Sequence, residues 1–237
     1  MLTIKAVVPA VACGIGAVGA CLAWVWQIDR GPGPEEIEIG HGIRLPTYMT
    51  GPTGHGWWAM AILMLVAASL FIAYLFSYLY LWTVSPGAWP LESELVPLRW
   101  SAIVLASFAG VLVCFAHAFT CLQRGQRTAR YVPWLVAIGA LLLVLGIASE
   151  TYGYWSSGLR PTDSSYGAIV YVAAVLNGQL AAAIVVMSAF TVARHYFGKL
   201  DRVRCASLEN TLLLVYYTVG QAIVSLVLIH GFPRLVG

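Results

Sequence analysis

The chain has 237 residues, 60% of them apolar and 10% charged, with 13 Lys and Arg against 10 Asp and Glu. Soluble domains carry about 25% charged residues, so this composition excludes an ordinary soluble domain. The net charge of +3 is spread over short segments, and no basic stripe of the kind that nucleic-acid binding needs is present.

Six runs contain no Asp, Glu, Lys or Arg: Val7–Trp26, Trp57–Val84, Trp100–Leu122, Tyr131–Ser149, Tyr166–Ala193 and Thr211–Ile229. Each is 19 to 28 residues long, and every charge lies outside them. A helix needs about 20 apolar residues to cross the hydrocarbon of a bilayer. Backbone in lipid must satisfy its own hydrogen bonds, so each run is expected to be helical. The fold expected is all-α: a polytopic membrane helix bundle with six transmembrane helices. Eight of the nine tryptophans (24, 26, 57, 58, 82, 100, 134 and 155) fall at or near run ends, the level where an indole with one polar N–H is favoured.

The first run continues to Trp26 and closes on an aromatic pair, longer than the apolar region of a signal peptide. Residues 1–27 are therefore read as a retained N-terminal transmembrane helix. Residues 28–56 follow as a Gly/Pro-rich linker, in which "EEIEIGHGIRL" alternates apolar and polar residues and suggests a short strand or hairpin. Residues 57–237 form a five-helix membrane domain. Alternate sides of six spans group Lys5, Arg99, Arg160 and Arg234 on one side and the other nine Lys and Arg on the opposite side. Short loops rich in Lys and Arg stay in the cytoplasm. The linker is then cytoplasmic, both termini are periplasmic, and "ETYGYWSSGLRPTDSSYG" is an external loop.

Chemistry has few candidate carriers. No charged residue falls inside a run, which argues against a self-contained pump or transporter. Glu150 closes the fourth run at the interface, where its charge is expected to stay wet. Cys114, His117 and Cys121 in "VCFAHAFTCL" share one helix face, but a structural zinc site takes four ligands and no fourth is near in sequence. The expectation is no metal, with the cysteines packed as small apolar groups. Cys13, Cys21 and Cys205 complete the thiols, and no structural disulfide is expected. Asn177, Gln179 and Gln221 are intramembrane amides. Gln179 and Gln221 sit mid-helix in adjacent antiparallel spans and are expected to hydrogen-bond, directly or through one intervening group. Glu209 lies in the first turn of the last span, after Ser207 as N-cap.

Three segments carry a resemblance: "GHGWWAMAILMLVAASLFIAYLFSYLYLW", "SSGLRPTDSSYGAIVYVAAVLNGQ" and "LENTLLLVYYTVGQAIVSLVLIHGFPRLV". Together they resemble the third subunit of haem–copper oxidases of the cytochrome c oxidase type, and within it the subunit III part of bacterial polypeptides that fuse subunits I and III. The resemblance covers about residues 55–237, and "LRPTDSSYG" with its following helix is its most specific piece. The chain departs from the family at Ala67, where many members carry an acid, and at Asn177-Gly178-Gln179-Leu180, where many carry a histidine. Tyr216 and Val219 replace a further family His and Asp, while Glu209 matches. The resemblance implies a non-catalytic subunit with no cofactor of its own. Haem and copper belong to the partner catalytic subunit I, subunit II is a further partner, and phospholipid is held in a cleft. It implies a role in sustaining proton uptake by a proton-pumping oxidase of a bacterial inner membrane. Two alternatives stay open: an accessory protein of nitric oxide reductase, and a stand-alone small membrane transporter or channel.

Overall fold

The computed structural model describes residues 16, 19, 20, 23, 36–46, 55–89, 96–125, 129–202 and 204–236. The chain divides into two compact units, Met1–Met49 and Thr50–Gly237.

In the first unit, β1 (Glu36–Glu38) pairs antiparallel with β2 (Arg44–Pro46), with Ile37 opposite Leu45. The turn between them holds three consecutive residues at positive φ: Gly40, His41 and Gly42. The two flanking glycines adopt that conformation without the steric penalty a side chain would meet, and Ile39 N–H donates to Ile43 O at 3.0 Å. The alternation in "EEIEIGHGIRL" thus forms a hairpin. The first expected span, Val7–Trp26, lies outside the described residues apart from Gly16, Gly19, Ala20 and Ala23, which are helical.

The second unit is helical: α1 (His55–Val84), α2 (Leu98–Arg124), α3 (Val132–Ser156), α4 (Ser165–Tyr196) and α5 (Ala206–Leu226). A π-helical turn, Val227–Gly231, continues α5 into the short α6 (Phe232–Val236). Five helices among the described residues are long and apolar enough to cross a membrane, and they coincide with the last five charge-free runs. The protein is a helical membrane bundle.

Helix ends follow local chemistry. Ser164 caps α4, its hydroxyl accepting from Gly167 N–H at 2.9 Å, as an N-cap should. Helix α3 ends on Gly158 (φ 76), with Leu159 N–H donating back to Tyr154 O at 3.2 Å; α4 ends on Gly198 (φ 67), with Lys199 N–H donating to Arg194 O at 2.9 Å. Both are the six-to-one closure that a left-handed glycine permits. At the start of α5 the expected cap is corrected. Cys205 occupies the N-cap position and Ser207 lies inside the helix, its hydroxyl buried without a partner. The chain turns earlier than expected because Asp201 Oδ1 accepts from Arg204 N–H at 2.8 Å, which lets the helix begin at Ala206. Glu209 is exposed in the first turn of α5.

Helices α2 and α3 share the most extensive contact, followed by α3 with α4 and α4 with α5, while α1 lies against α5 and α4. The last span is the most buried of the five and α1 the least. Most of α1 therefore faces outward. Two apolar clusters fill the bundle. One joins α2, α3, α4 and α5 around Phe108, Phe115, Leu143, Ile184 and Leu214. The other gathers Phe71, Tyr74, Tyr78, Tyr154, Tyr166 and Ile229 where α1, α3 and α5 end and α4 begins.

Candidate functional site

The second cluster holds the most chemistry. Glu150 does not sit wet at a helix end, as expected; it is 3% exposed, and α3 continues six residues beyond it. The expectation that no charged residue is buried is corrected with it. The physical reason is that the helix runs on to the Schellman turn at Gly158, so Glu150 lies within α3 and not at its end. Tyr154, one turn on, donates to Glu150 Oε1 at 2.7 Å. Oε2 has no hydrogen-bond partner, and neither does the buried hydroxyl of Tyr74 on α1. The imidazole of His230, 6% exposed, lies nearly parallel to the Tyr154 ring at 6.3 Å between centroids. A carboxyl, an imidazole and several phenols thus share an interior that is otherwise apolar.

Proline builds the wall that holds His230. In the π turn, Phe232 N–H donates to Val227 O, five residues back. The same register would ask Pro233 to donate to Leu228 O, and the α register would ask it to donate to Ile229 O. Proline has no N–H. Two tyrosines fill the gap: Tyr78 OH donates to Leu228 O at 3.1 Å and Tyr166 OH to Ile229 O at 2.9 Å. Trp89 Nε1 donates in turn to Tyr78 OH at 3.3 Å. Arg234 closes this end, its guanidinium donating to His230 O and, at 3.1 Å, to Val96 O. Carbonyls left by one proline are thereby bonded to α1 and α4, which fixes His230 beside Tyr154.

The turn "LRPTDSSYG" supplies the lid of this cluster. Tyr171 OH donates to Leu159 O at 3.0 Å, and Gly167 passes so close to Arg160 O that a Cβ there would clash with it. The glycine and the serine cap together let α4 begin directly under the loop.

A second polar group joins α4 to α5 farther along the bundle. Gln221 Nε2 donates to Asn177 Oδ1 at 3.1 Å, and Tyr217 OH donates to Gln221 Oε1 at 2.8 Å. The expected pairing of Gln179 with Gln221 is therefore corrected: Asn177 is the partner and Gln179 is exposed. Two residues on a helix stand about 200° apart, so these amides cannot serve one interface.

Cys114, His117 and Cys121 do not converge. Cys114 is half-buried, His117 exposed and Cys121 buried. Among the described residues no three His, Cys, Asp or Glu come together to hold a metal. The missed feature is Glu150; its signal was the aromatic spacing Glu150–Tyr154, which puts a donor one turn from the acid.

Neither a model of a known protein family nor a curated protein matches the chain.

Proposed function

We propose that this chain is a non-catalytic, subunit III-like component of a proton-pumping terminal oxidase of the cytochrome c oxidase type. On this reading it packs against catalytic subunit I and subunit II in a bacterial inner membrane, with both termini periplasmic. Haem and copper reside in those partners, phospholipid lies between the subunits, and this chain sustains proton uptake during turnover. The observation that carries the reading is the resemblance of residues 55–237, with "LRPTDSSYG" as its most specific piece. The largely uncovered apolar surface of α1, where Leu65, Ile72 and Phe76 are each more than half exposed, suits a subunit that packs against other membrane helices or lipid.

The test is isolation of the native complex through a tag on this chain. Haem a absorbance and cytochrome c oxidation in the isolate are the expected result. A haem-free isolate overturns the reading, and nitric oxide reduction in its place assigns the chain to that enzyme.

One observation favours a second reading, a small transporter or channel: Glu150 is an intramembrane carboxyl with an unpartnered oxygen, and such groups mark ion and proton paths. Proton flux through liposomes containing this chain alone, lost in Glu150→Gln, would establish it.

A further inference from the structure

Three helices bring an unpartnered polar atom into the bundle at one depth. The layer next to that depth is fixed by two contacts: Tyr78 OH of α1 donates to Leu228 O, and the Tyr154 ring of α3 lies against the His230 ring. Helices α1, α3 and α5 are alternate spans and run in the same direction. One turn back along each is four residues, or about 6 Å. That step leads from Tyr78 to Tyr74 on α1 and from Tyr154 to Glu150 on α3. On α5 it leads from Leu228 and His230 to Val224 and Leu226, with Ser225 between them.

Tyr74, Glu150 and Ser225 are 4%, 3% and 0% exposed. Tyr74 OH, Glu150 Oε2 and Ser225 Oγ are buried atoms with no hydrogen-bond partner in the chain. The Tyr74 phenol lies within electrostatic range of the Glu150 carboxyl. Buried polar groups are almost always bonded, so three such atoms in one layer call for a shared partner. They offer a phenol donor, a carboxyl acceptor and a hydroxyl that serves as either. A direct bond between any two leaves the third alone. Water donates twice and also accepts, and about three bonds is the usual number for an enclosed water.

We propose that Tyr74, Glu150 and Ser225 hold one enclosed water molecule between them. It accepts from the Tyr74 hydroxyl and donates to Glu150 Oε2 and Ser225 Oγ. A hydrogen-bonded chain then runs from Tyr154 through Glu150 and the water to Tyr74, with a branch to Ser225. It joins α3, α1 and α5. Helix α1 is the least buried of the five spans, so this link fastens it where apolar packing is thinnest. The inference is independent of the oxidase reading, since it concerns the interior of the bundle and not the identity of the complex.

The experiment is hydroxyl-radical labelling of the full chain in native lipid discs, read residue by residue by mass spectrometry. In one arm X-rays split water wherever it is, including water bound inside the protein. In the other, photolysis of added peroxide makes radicals in bulk solvent only. Exposed Tyr152 and Trp155 and buried Phe108 and Phe115 are the controls. Tyr74 is expected to be oxidised in the X-ray arm well above Phe108 and Phe115, and to match them in the peroxide arm. Tyr74→Phe keeps a ring to report but removes the hydroxyl, and labelling at position 74 should then fall towards the buried controls. Tyr74 no more labelled than Phe108 in the X-ray arm overturns the proposal. Labelling of Tyr74 in both arms also overturns it, because bulk solvent then reaches the layer. Full X-ray labelling at position 74 in Tyr74→Phe rules out the hydroxyl as a holder of the water.

Discussion

Tyr154 and Glu150 stand one turn apart on α3, joined by a 2.7 Å hydrogen bond at 1% and 3% exposure. The phenol is the donor to a carboxyl whose other oxygen is unpartnered, so the pair has one satisfied contact and one standing cost. Removing the donor should hurt. Tyr154→Phe is expected to lower stability by about 1–3 kcal/mol, the cost of a buried group left without its partner. Glu150→Gln keeps an acceptor oxygen and removes the charge, and should stay within about 1 kcal/mol of the unaltered chain. Thermal unfolding in detergent measures both, and a neutral Tyr154→Phe would show that the bond does not hold the acid.

The tyrosine bonds to the π turn make a coupled prediction. Tyr166→Phe should cost about 0.5–1.5 kcal/mol, because Ile229 O loses its donor. In Pro233→Ala the backbone regains an N–H that can reach Ile229 O, so the same change should then cost less. A double-mutant cycle reads the difference. Strict additivity would mean that proline is not what opens the carbonyl.

Glycines within the helices of the bundle divide into two kinds. A Cβ at Gly139 would lie 2.7 Å from the Phe115 ring, and one at Gly153 would lie 2.8 Å from Trp100 Cγ. Both rings are rigid, so Gly139→Ala and Gly153→Ala should each destabilise by about 1–3 kcal/mol. Gly178 and Gly220 have nothing within 4 Å of an added Cβ, and alanine there should stabilise by up to about 1 kcal/mol through helix propensity. Melting temperatures of the four variants should therefore move in opposite directions.

Substitution of the amides separates the two faces of α4. Gln221→Leu removes the bond to Asn177 and should cost about 0.6–2 kcal/mol. Gln179→Leu should leave the unfolding of the monomer unchanged, since that exposed side chain makes no hydrogen bond among the described residues. Equal losses in both would place Gln179 inside the bundle after all.

The spans were legible in the sequence because lipid removes every alternative to a helix, so charge-free length alone marks them. Their ends were less so. A charge usually lies in water, so Glu150 reads as a boundary, yet α3 runs on to Ser156 and carries the acid inside. Ser207 has the chemistry of a cap, but the turn from Asp201 to Arg204 sets the entry earlier, with Cys205 as N-cap and the helix running from Ala206. The amides show the remaining gap. Depth along α4 is readable from residue number, whereas rotation about its axis depends on packing, and it is rotation that selects Asn177 over Gln179.

The central claim, an accessory subunit that preserves a proton-pumping oxidase during turnover, is tested most directly by one time course. Oxygen consumption is followed in the complex with and without this chain, alongside its haem spectrum. The account predicts an intact spectrum and a near-normal initial rate that declines with turnover only when the chain is absent. An immediate loss of the haem spectrum, or a rate that holds unchanged without the chain, would contradict it.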